Sequence, residues 1–160
     1  MDKEDYRREL IEDLGIHFEN EYSLAPLSAR IFASLVMTEE DGLTFDDCLT
    51  RRGASKSSIS TSLNLLLQMG FIKYFTKSRD RKRYYTVAEK DSFMVKKLSR
   101  ALKQLENEEK IMDKVAAYNK KFNPEKFKST QKMKKIYMTC LKENKDIFQK
   151  TINQLNALKE

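Results

Sequence analysis

The stretch that decides the fold of this chain runs from Thr44 to Tyr85 and reads TFDDCLTRRGASKSSISTSLNLLLQMGFIKYFTKSRDRKRYY. Thr44 followed three residues later by Asp47 is typical of a capping box at the start of a helix. Gly53 allows the left-handed turn that ends such a helix, and Ser55 is a favourable N-cap for a second one. The pattern therefore predicts two short helices joined by a tight turn, a helix-turn-helix.

A β-hairpin is predicted directly after the second helix. Phe71–Lys77 and Arg83–Val87 are short and rich in aromatic and β-branched residues, as strands are. The segment between and beside them is strongly cationic: Arg79, Arg81, Lys82 and Arg83. These charges repel one another unless an anion relieves them, although Asp80 can pair with one arginine and stiffen the loop. We call residues 77–84 the wing and expect it to meet an anionic partner.

The second helix of the pair, predicted over residues 55–68, has one apolar face and one small polar face. At 100° per residue, its apolar side is formed by Ile59, Leu63, Leu66 and Leu67. The opposite side carries Ser57, Ser60, Thr61, Asn64 and Gln68, none of them charged. Such a face can approach base edges in a major groove, but taken alone it is more often a solvated surface. The cations Arg51 and Arg52 before the helix and the wing after it favour the first interpretation.

Charge is distributed unevenly along the 160 residues. Residues 1–50 carry 4 basic and 13 acidic side chains, a net charge of −9. Residues 51–90 carry 10 basic and 2 acidic ones, a net charge of +8, and residues 91–160 carry 17 and 9, also +8. A basic block of this kind is the expected footprint of a surface that meets phosphate.

The flanking segments predict long amphipathic helices. In the first helix, Leu10, Leu14 and Phe18 recur at spacings of four, and this stripe must pack against the rest of the chain or a second copy. Asn123-Pro124 interrupts a helical pattern that begins at Asp91. The last helix, predicted over about residues 130–158, carries Tyr137, Leu141, Phe148 and Leu155 on one side. It is longer than a small domain needs, so a helical partner is expected.

No enzyme, metal or cofactor is predicted. The sequence contains no phosphate-binding glycine loop, nucleophile elbow or cysteine–histidine pair. His17 has no second ligand at metal-binding spacing, and the lone thiols Cys48 and Cys140 fit buried small hydrophobes better than redox switches. No run is long enough to span a membrane and no signal peptide is apparent, so a cytoplasmic location is expected.

The middle third of the chain resembles the MarR superfamily of bacterial regulators, and most closely its GbsR-like branch. The resemblance rests on Gly53-Ala-Ser55-Lys-Ser57, with Ser60 and Asn64, and on Asp80-Arg-Lys-Arg-Tyr-Tyr85. It implies a mainly α fold, with a winged helix-turn-helix over residues 23–90 and long terminal helices, 1–22 and 91–160, that form a homodimer. It also implies a small-molecule effector, although no matching ligand residues are present.

The resemblance further implies a role for each group of residues on double-stranded DNA. The recognition helix would act through Ser55, Lys56, Ser57, Ser60, Thr61 and Asn64, and the wing through Arg79, Arg81, Lys82 and Arg83. Asp80 would brace a wing arginine, while the dimer would form through Leu10, Leu14, Phe18, Tyr137, Leu141, Phe148 and Leu155. We expect a repressor on a pseudo-palindromic operator, with Arg51 and Arg52 on phosphates and Asn64 on an adenine. The alternative is a winged module that binds protein or membrane through its basic C-terminal helices.

Overall fold

A computed structural model describes residues 2–88 and 92–158. Its helices and strands are α1 (Lys3–Tyr22), α2 (Pro26–Met37), β1 (Leu43–Thr44), α3 (Phe45–Arg52), α4 (Lys56–Gln68), β2 (Ile72–Thr76), β3 (Arg83–Val87), α5 (Ser92–Phe122) and α6 (Pro124–Ala157). They form two compact units, the first within residues 2–88 and the second within 92–158. None of the described helices is both long enough and apolar enough to cross a membrane.

The core of the first unit is built around α2. This helix is apolar on almost every side, and Ala29, Ile31 and Phe32 are buried. The Phe32 ring lies 4.7 Å from that of Phe18 on α1 and 5.3 Å from that of Phe71 at the start of the hairpin. Phe18 is therefore part of this core, and its role as a dimer contact stays a prediction that this burial does not favour.

Local capping fixes the helix-turn-helix as predicted. The Thr44 hydroxyl accepts a hydrogen bond from the Asp47 amide (3.1 Å), and the Asp47 carboxylate accepts one from the Thr44 amide (2.8 Å). This capping box begins α3, which ends at Gly53 with a left-handed φ of 63°. Ser55 then caps α4 by accepting from the Ser58 amide at 3.2 Å. The side chains thus satisfy helix-end donors that would otherwise lack partners.

A three-stranded antiparallel sheet follows, in the order β1-β3-β2. The hairpin pairs Ile72 with Val87 at one end and Thr76 with Arg83 at the other, close to the predicted bounds. The short strand β1 adds Leu43 and Thr44 opposite Tyr85 and Tyr84. Two residues carry no periodic signal, so the sequence did not predict β1.

The second unit is an antiparallel pair of long helices. Asn123 separates α5 from α6, and cross-pairs such as Lys134–Asp113 (2.8 Å) and Tyr137–Glu108 (2.6 Å) set their register. The break at Pro124 is confirmed, but α6 begins at Pro124 and not near residue 130, because proline is well tolerated in the first turn of a helix. Leu141 and Ile152 are buried where α5 and α6 pack on each other. Little of the Leu141 side chain is therefore left for the contact with a second copy that the sequence predicted.

Candidate nucleic-acid interface

The helix α4 presents the polar face that the sequence predicted. Ile59, Leu63 and Leu66 are buried as α4 packs on α2 and β2. The six candidate recognition residues are all exposed: Ser55, Lys56, Ser57, Ser60, Thr61 and Asn64. The Ser55 hydroxyl caps α4 by accepting a hydrogen bond from the Ser58 amide. It also contacts the hydroxyls of Ser57 and Ser58, at 3.2 and 2.8 Å. Apart from Lys56 in the first turn, these residues are uncharged and small or medium-sized, and the exposed Leu65 borders them.

Asp80 organises the wing turn. Its two carboxylate oxygens accept hydrogen bonds from the Lys82 amide (2.9 Å) and the Tyr84 hydroxyl (2.7 Å). These two hydrogen bonds lower the pKa of the Asp80 carboxyl from its ordinary value, and the bond from the Lys82 amide has the larger effect. Arg79 next to it takes a left-handed φ of 64°, and the Asp80 amide closes the turn on the Lys77 carbonyl at 3.0 Å.

Asp80 therefore braces the turn, but its partners differ from the expected one. Within the described part of the chain, its carboxylate pairs with no arginine. A backbone amide and a tyrosine hydroxyl take the place of the guanidinium. The consequence is that the wing arginines keep their donors available.

Two of the wing cations rest on aromatic rings of the hairpin. The Arg83 guanidinium carbon lies 4.4 Å from the centre of the Tyr74 ring, and the Lys77 nitrogen lies 4.4 Å from that of Tyr84. Such cation–π contacts orient a cation without neutralising its charge. By contrast, Arg79, Arg81 and Lys82 are exposed and form no ion pair with any residue that the structure describes.

Arg51 and Arg52, at the end of α3, are placed differently. Arg51 forms an ion pair with Glu40, at 2.9 Å between Nη2 and Oε1. Arg52 faces Glu12 of α1, and its side chain is only 15% exposed. The contact of Arg52 with DNA phosphate stays a prediction, and its enclosure beside an acidic residue of α1 makes Arg52 a poorer candidate than the exposed wing cations.

The helix-turn-helix, the exposed polar face of α4 and the cationic hairpin lie together in the first unit. The fold is a winged helix. The predicted fold class, mainly α with a small β-hairpin wing, is confirmed.

Comparisons with known proteins agree with a winged helix. No family model matches the chain. The curated HTH-type transcriptional regulator MmpR5 of Mycobacterium tuberculosis is 31% identical over 77 residues, which are 48% of this chain and 46% of that protein. The chain thus spans about half the length of the curated relative it matches.

Among solved structures, one described as a transcriptional regulator covers 96% of this chain and 95% of its own, with a TM-score of 0.51 and 21% identity. A MarR/EmrR family transcriptional regulator from Acinetobacter sp. ADP1 covers 89% of this chain and 91% of its own, with a TM-score of 0.41 and 12% identity. The first of these similarities supports the fold of the chain.

Sequence reasoning missed the aromatic supports of the winged helix. The spacing of Asp80 and Tyr84 gave no separate signal, because their hydrogen bond depends on how the turn closes. The same holds for Tyr74 beneath Arg83, since the pairing of Tyr74 with Tyr85 and of Thr76 with Arg83 is set by the strand register. An alternation of aromatic and basic residues across both strands was the available clue.

The two thiols have different environments. Cys48 is buried on α3, and burial, with a smaller effect from the Asp47 charge, raises the pKa of its thiol to about 11. Cys140 is exposed on α6, so the prediction that it is a buried hydrophobe is wrong. His17 packs its ring 5.7 Å from that of Phe18, and no cluster of three or more potential metal ligands occurs among the described residues.

Proposed function

We propose that this chain is a homodimeric, sequence-specific DNA-binding transcriptional regulator of the MarR superfamily, from its GbsR-like branch, acting in the cytoplasm as a repressor. One observation carries the proposal: an exposed, uncharged face on α4 lies in the same unit as a wing with three cations unpaired among the described residues. Polar side chains on a helix that enters the groove can read base edges, whereas cations beside the helix can bind phosphates. No catalytic step is assigned to the chain.

In the proposed complex, α4 enters the major groove and the wing contacts the adjacent backbone or minor groove. Asn64 is the best candidate for a bidentate contact with adenine, while Ser57 and Thr61 contact neighbouring base edges. Lys56 in the first turn of α4 and Arg79, Arg81 and Lys82 in the wing bind phosphates. Arg83 contributes from its position on Tyr74. Arg51 also binds a phosphate, after its ion pair with Glu40 opens.

The proposed dimer uses a side of the second unit other than the predicted one. On α5, four large apolar residues recur at spacings of four, three and four and are 54–59% exposed: Ile111, Val115, Tyr118 and Phe122. We call them the heptad row, since this spacing is that of a helix–helix seam. Met133 and Ile136 on α6 are also exposed, and Met133 joins Ile111 and Val115 in lining an apolar groove of about 340 Å³.

The other predicted dimer contacts are less suited to that role. Phe148 and Leu155 are half-buried within the second unit, and the Tyr137 hydroxyl is bonded to Glu108. Leu10 and Leu14 are half-buried on α1, which packs on α2 in the first unit. We therefore centre the dimer proposal on the heptad row, with Leu10, Leu14 and the exposed edge of Tyr137 as peripheral contacts.

A protein- or membrane-docking role is the competing proposal, and one observation favours it. The end of the second unit carries Lys120, Lys121, Lys126 and Lys128 beside the exposed rings of Tyr118 and Phe122. Basic and aromatic side chains together suit an anionic interface. Binding to anionic vesicles that exceeds binding to duplex DNA at equal salt would support this role over DNA recognition.

Selection of bound sequences from a random duplex pool tests the proposed function. A dimer with two copies of α4 should enrich inverted half-sites whose centres lie about 34 Å apart on one face of the DNA. Asn64→Ala should relax the preference at particular positions while leaving total binding nearly intact. A pool without any enriched motif would contradict sequence-specific recognition. Repeating the selection with cell metabolites would reveal an effector.

A further inference from the structure

A pocket rich in arginine opens in the first unit between α1, α2 and the end of α3. It has a volume of about 460 Å³, and its charged lining consists of Arg7, Arg8, Arg51, Arg52, Glu4 and Glu12. Arg8 is paired with Asp5 at 3.5 Å and Arg51 with Glu40 at 2.9 Å, so the two cations that remain to be considered are Arg7 and Arg52. We call this site the arginine pocket.

Arg7 and Arg52 are the two most enclosed of these cations, and both have unused hydrogen-bond donors. Their side chains are 21% and 15% exposed. The Nε atom of each is buried and has no hydrogen-bond partner among the residues that the structure describes. Their nearest acids lie at 3.6 Å (Arg7 to Glu4) and 3.5 Å (Arg52 to Glu12), well beyond the 2.7–2.9 Å typical of a charged hydrogen bond.

Arg30 on α2, in the same region, is an arginine whose donors have carboxylate acceptors. Its Nε donates to Glu12 at 3.0 Å, and its Nη1 is paired with Glu19. Glu12 is thus shared, and its shorter contact goes to Arg30 and not to Arg52. Buried donors without acceptors are costly and rare in native proteins. Arg7 and Arg52 therefore hold their acids more loosely than Arg30 does, and their guanidinium groups can donate to a further acceptor oxygen.

We propose that the arginine pocket binds the oxyanion group, carboxylate or phosphate, of a small molecule through Arg7 and Arg52. A planar guanidinium matches both groups by paired hydrogen bonds, which an ammonium does not. The volume falls within the roughly 300–1,000 Å³ of small-molecule sites. Because Arg52 is the last residue of α3, the bound anion also links α1 to the end of the helix that precedes α4.

Titration calorimetry on the whole chain, without DNA, tests this site separately from the proposed function. Inorganic phosphate and succinate serve as probes of the two oxyanion classes, each in chloride buffer at constant ionic strength. We expect saturable binding of at least one probe with one site per chain. The probe that binds identifies the class of ligand. Absence of saturable binding with both probes would overturn the proposal.

Substitutions locate the site. Arg52→Gln and Arg7→Gln should each weaken binding by about tenfold, the effect of losing a hydrogen bond to a charged group. Arg100→Gln, which removes an exposed cation of α5 in the second unit, is the matched control and should leave the affinity unchanged. An equal loss in Arg100→Gln would overturn the proposal, since the probe would then be responding to general surface charge.

A second variant guards against loss of the fold. Arg7→Lys keeps the positive charge but removes the paired donors, so it should retain cooperative unfolding and still bind more weakly than the parent chain. Parent-like affinity in Arg7→Lys together with parent-like affinity in Arg52→Gln would overturn the assignment of these two residues.

Discussion

At the scale of single residues, the structure assigns each of several polar side chains one local task. The Asp47 carboxylate closes the N-terminus of α3, and Asp80 closes the wing turn. The two acids bond to backbone amides close by in sequence, which explains why Asp47 could be predicted from its spacing to Thr44 alone. Arg52 could not, because its ion-pair partner Glu12 is distant in sequence and the pair depends on how α1 packs.

The capping carboxylate makes stability depend on pH. Two hydrogen bonds from Thr44 lower the pKa of the Asp47 carboxyl below its ordinary value of 3.8. The bond from the Thr44 amide has the larger effect and the bond from its hydroxyl the smaller one. A lowered pKa stabilises the fold above the unfolded value, and that stabilisation is lost as the pH falls through the folded value. Asp47→Asn should therefore lower the free energy of unfolding by about 1 kcal/mol at neutral pH and by progressively less as the pH falls below 3.8.

Urea denaturation across that pH range measures the effect. Asp46→Asn is the matched control, because this neighbouring acid is exposed and makes no contribution to the capping box. A loss for Asp47→Asn that is as large in acid as at neutral pH would contradict the role of its charge.

Cys48 should behave as a buried hydrophobic residue and not as a redox sensor. Its side chain is only 3% exposed, and burial raises the pKa of the thiol to about 11, so almost no thiolate is present at neutral pH. In a Cys140→Ser variant, we expect alkylation of Cys48 to proceed only as fast as the chain unfolds. Mass spectrometry follows the modification, and the same variant in denaturant provides full labelling. Rapid labelling of the native chain would contradict this expectation.

At the scale of elements, local sequence signals were sufficient to predict where the helices and the hairpin lie in the chain. They were not sufficient to predict which element each helix packs against. Capping residues and glycine turns fixed α3 and α4 nearly to the residue, because these interactions span at most four positions. The side of α6 that packs on α5 was harder to predict. Its apolar residues nearly encircle the helix, so periodicity alone did not separate buried Leu141 from exposed Ile136.

The short strand β1 depends on Gly42. A Cβ atom added there would lie 2.8 Å from the Tyr85 carbonyl oxygen, a backbone atom that cannot move without disturbing the sheet. Gly42→Ala should therefore lower the free energy of unfolding by about 1–3 kcal/mol, the usual cost of overpacking. Chemical denaturation checks this, with Asp41→Ala at the neighbouring exposed position as the control. Parent-like stability of Gly42→Ala would show that the strand has room to shift.

At the scale of the whole molecule, two copies of the winged helix are needed for a palindromic operator. The exposed heptad row predicts where the copies meet. Val115→Glu places a charge in the centre of that row and should convert the dimer to a monomer. Sedimentation velocity reports the mass, and Ala117→Glu, on another side of the same helix, should remain dimeric. A dimeric Val115→Glu variant would move the interface elsewhere.

DNA binding through the wing and α4 is the central claim, and its salt dependence tests that claim most directly. The affinity of the parent chain for a random-sequence duplex should fall linearly with salt on a double-logarithmic plot. Replacing Arg79, Arg81 and Lys82 together by Gln should weaken binding to every sequence and reduce the slope by up to about three. Binding that is independent of salt, or a triple variant with parent-like affinity and slope, would contradict the account.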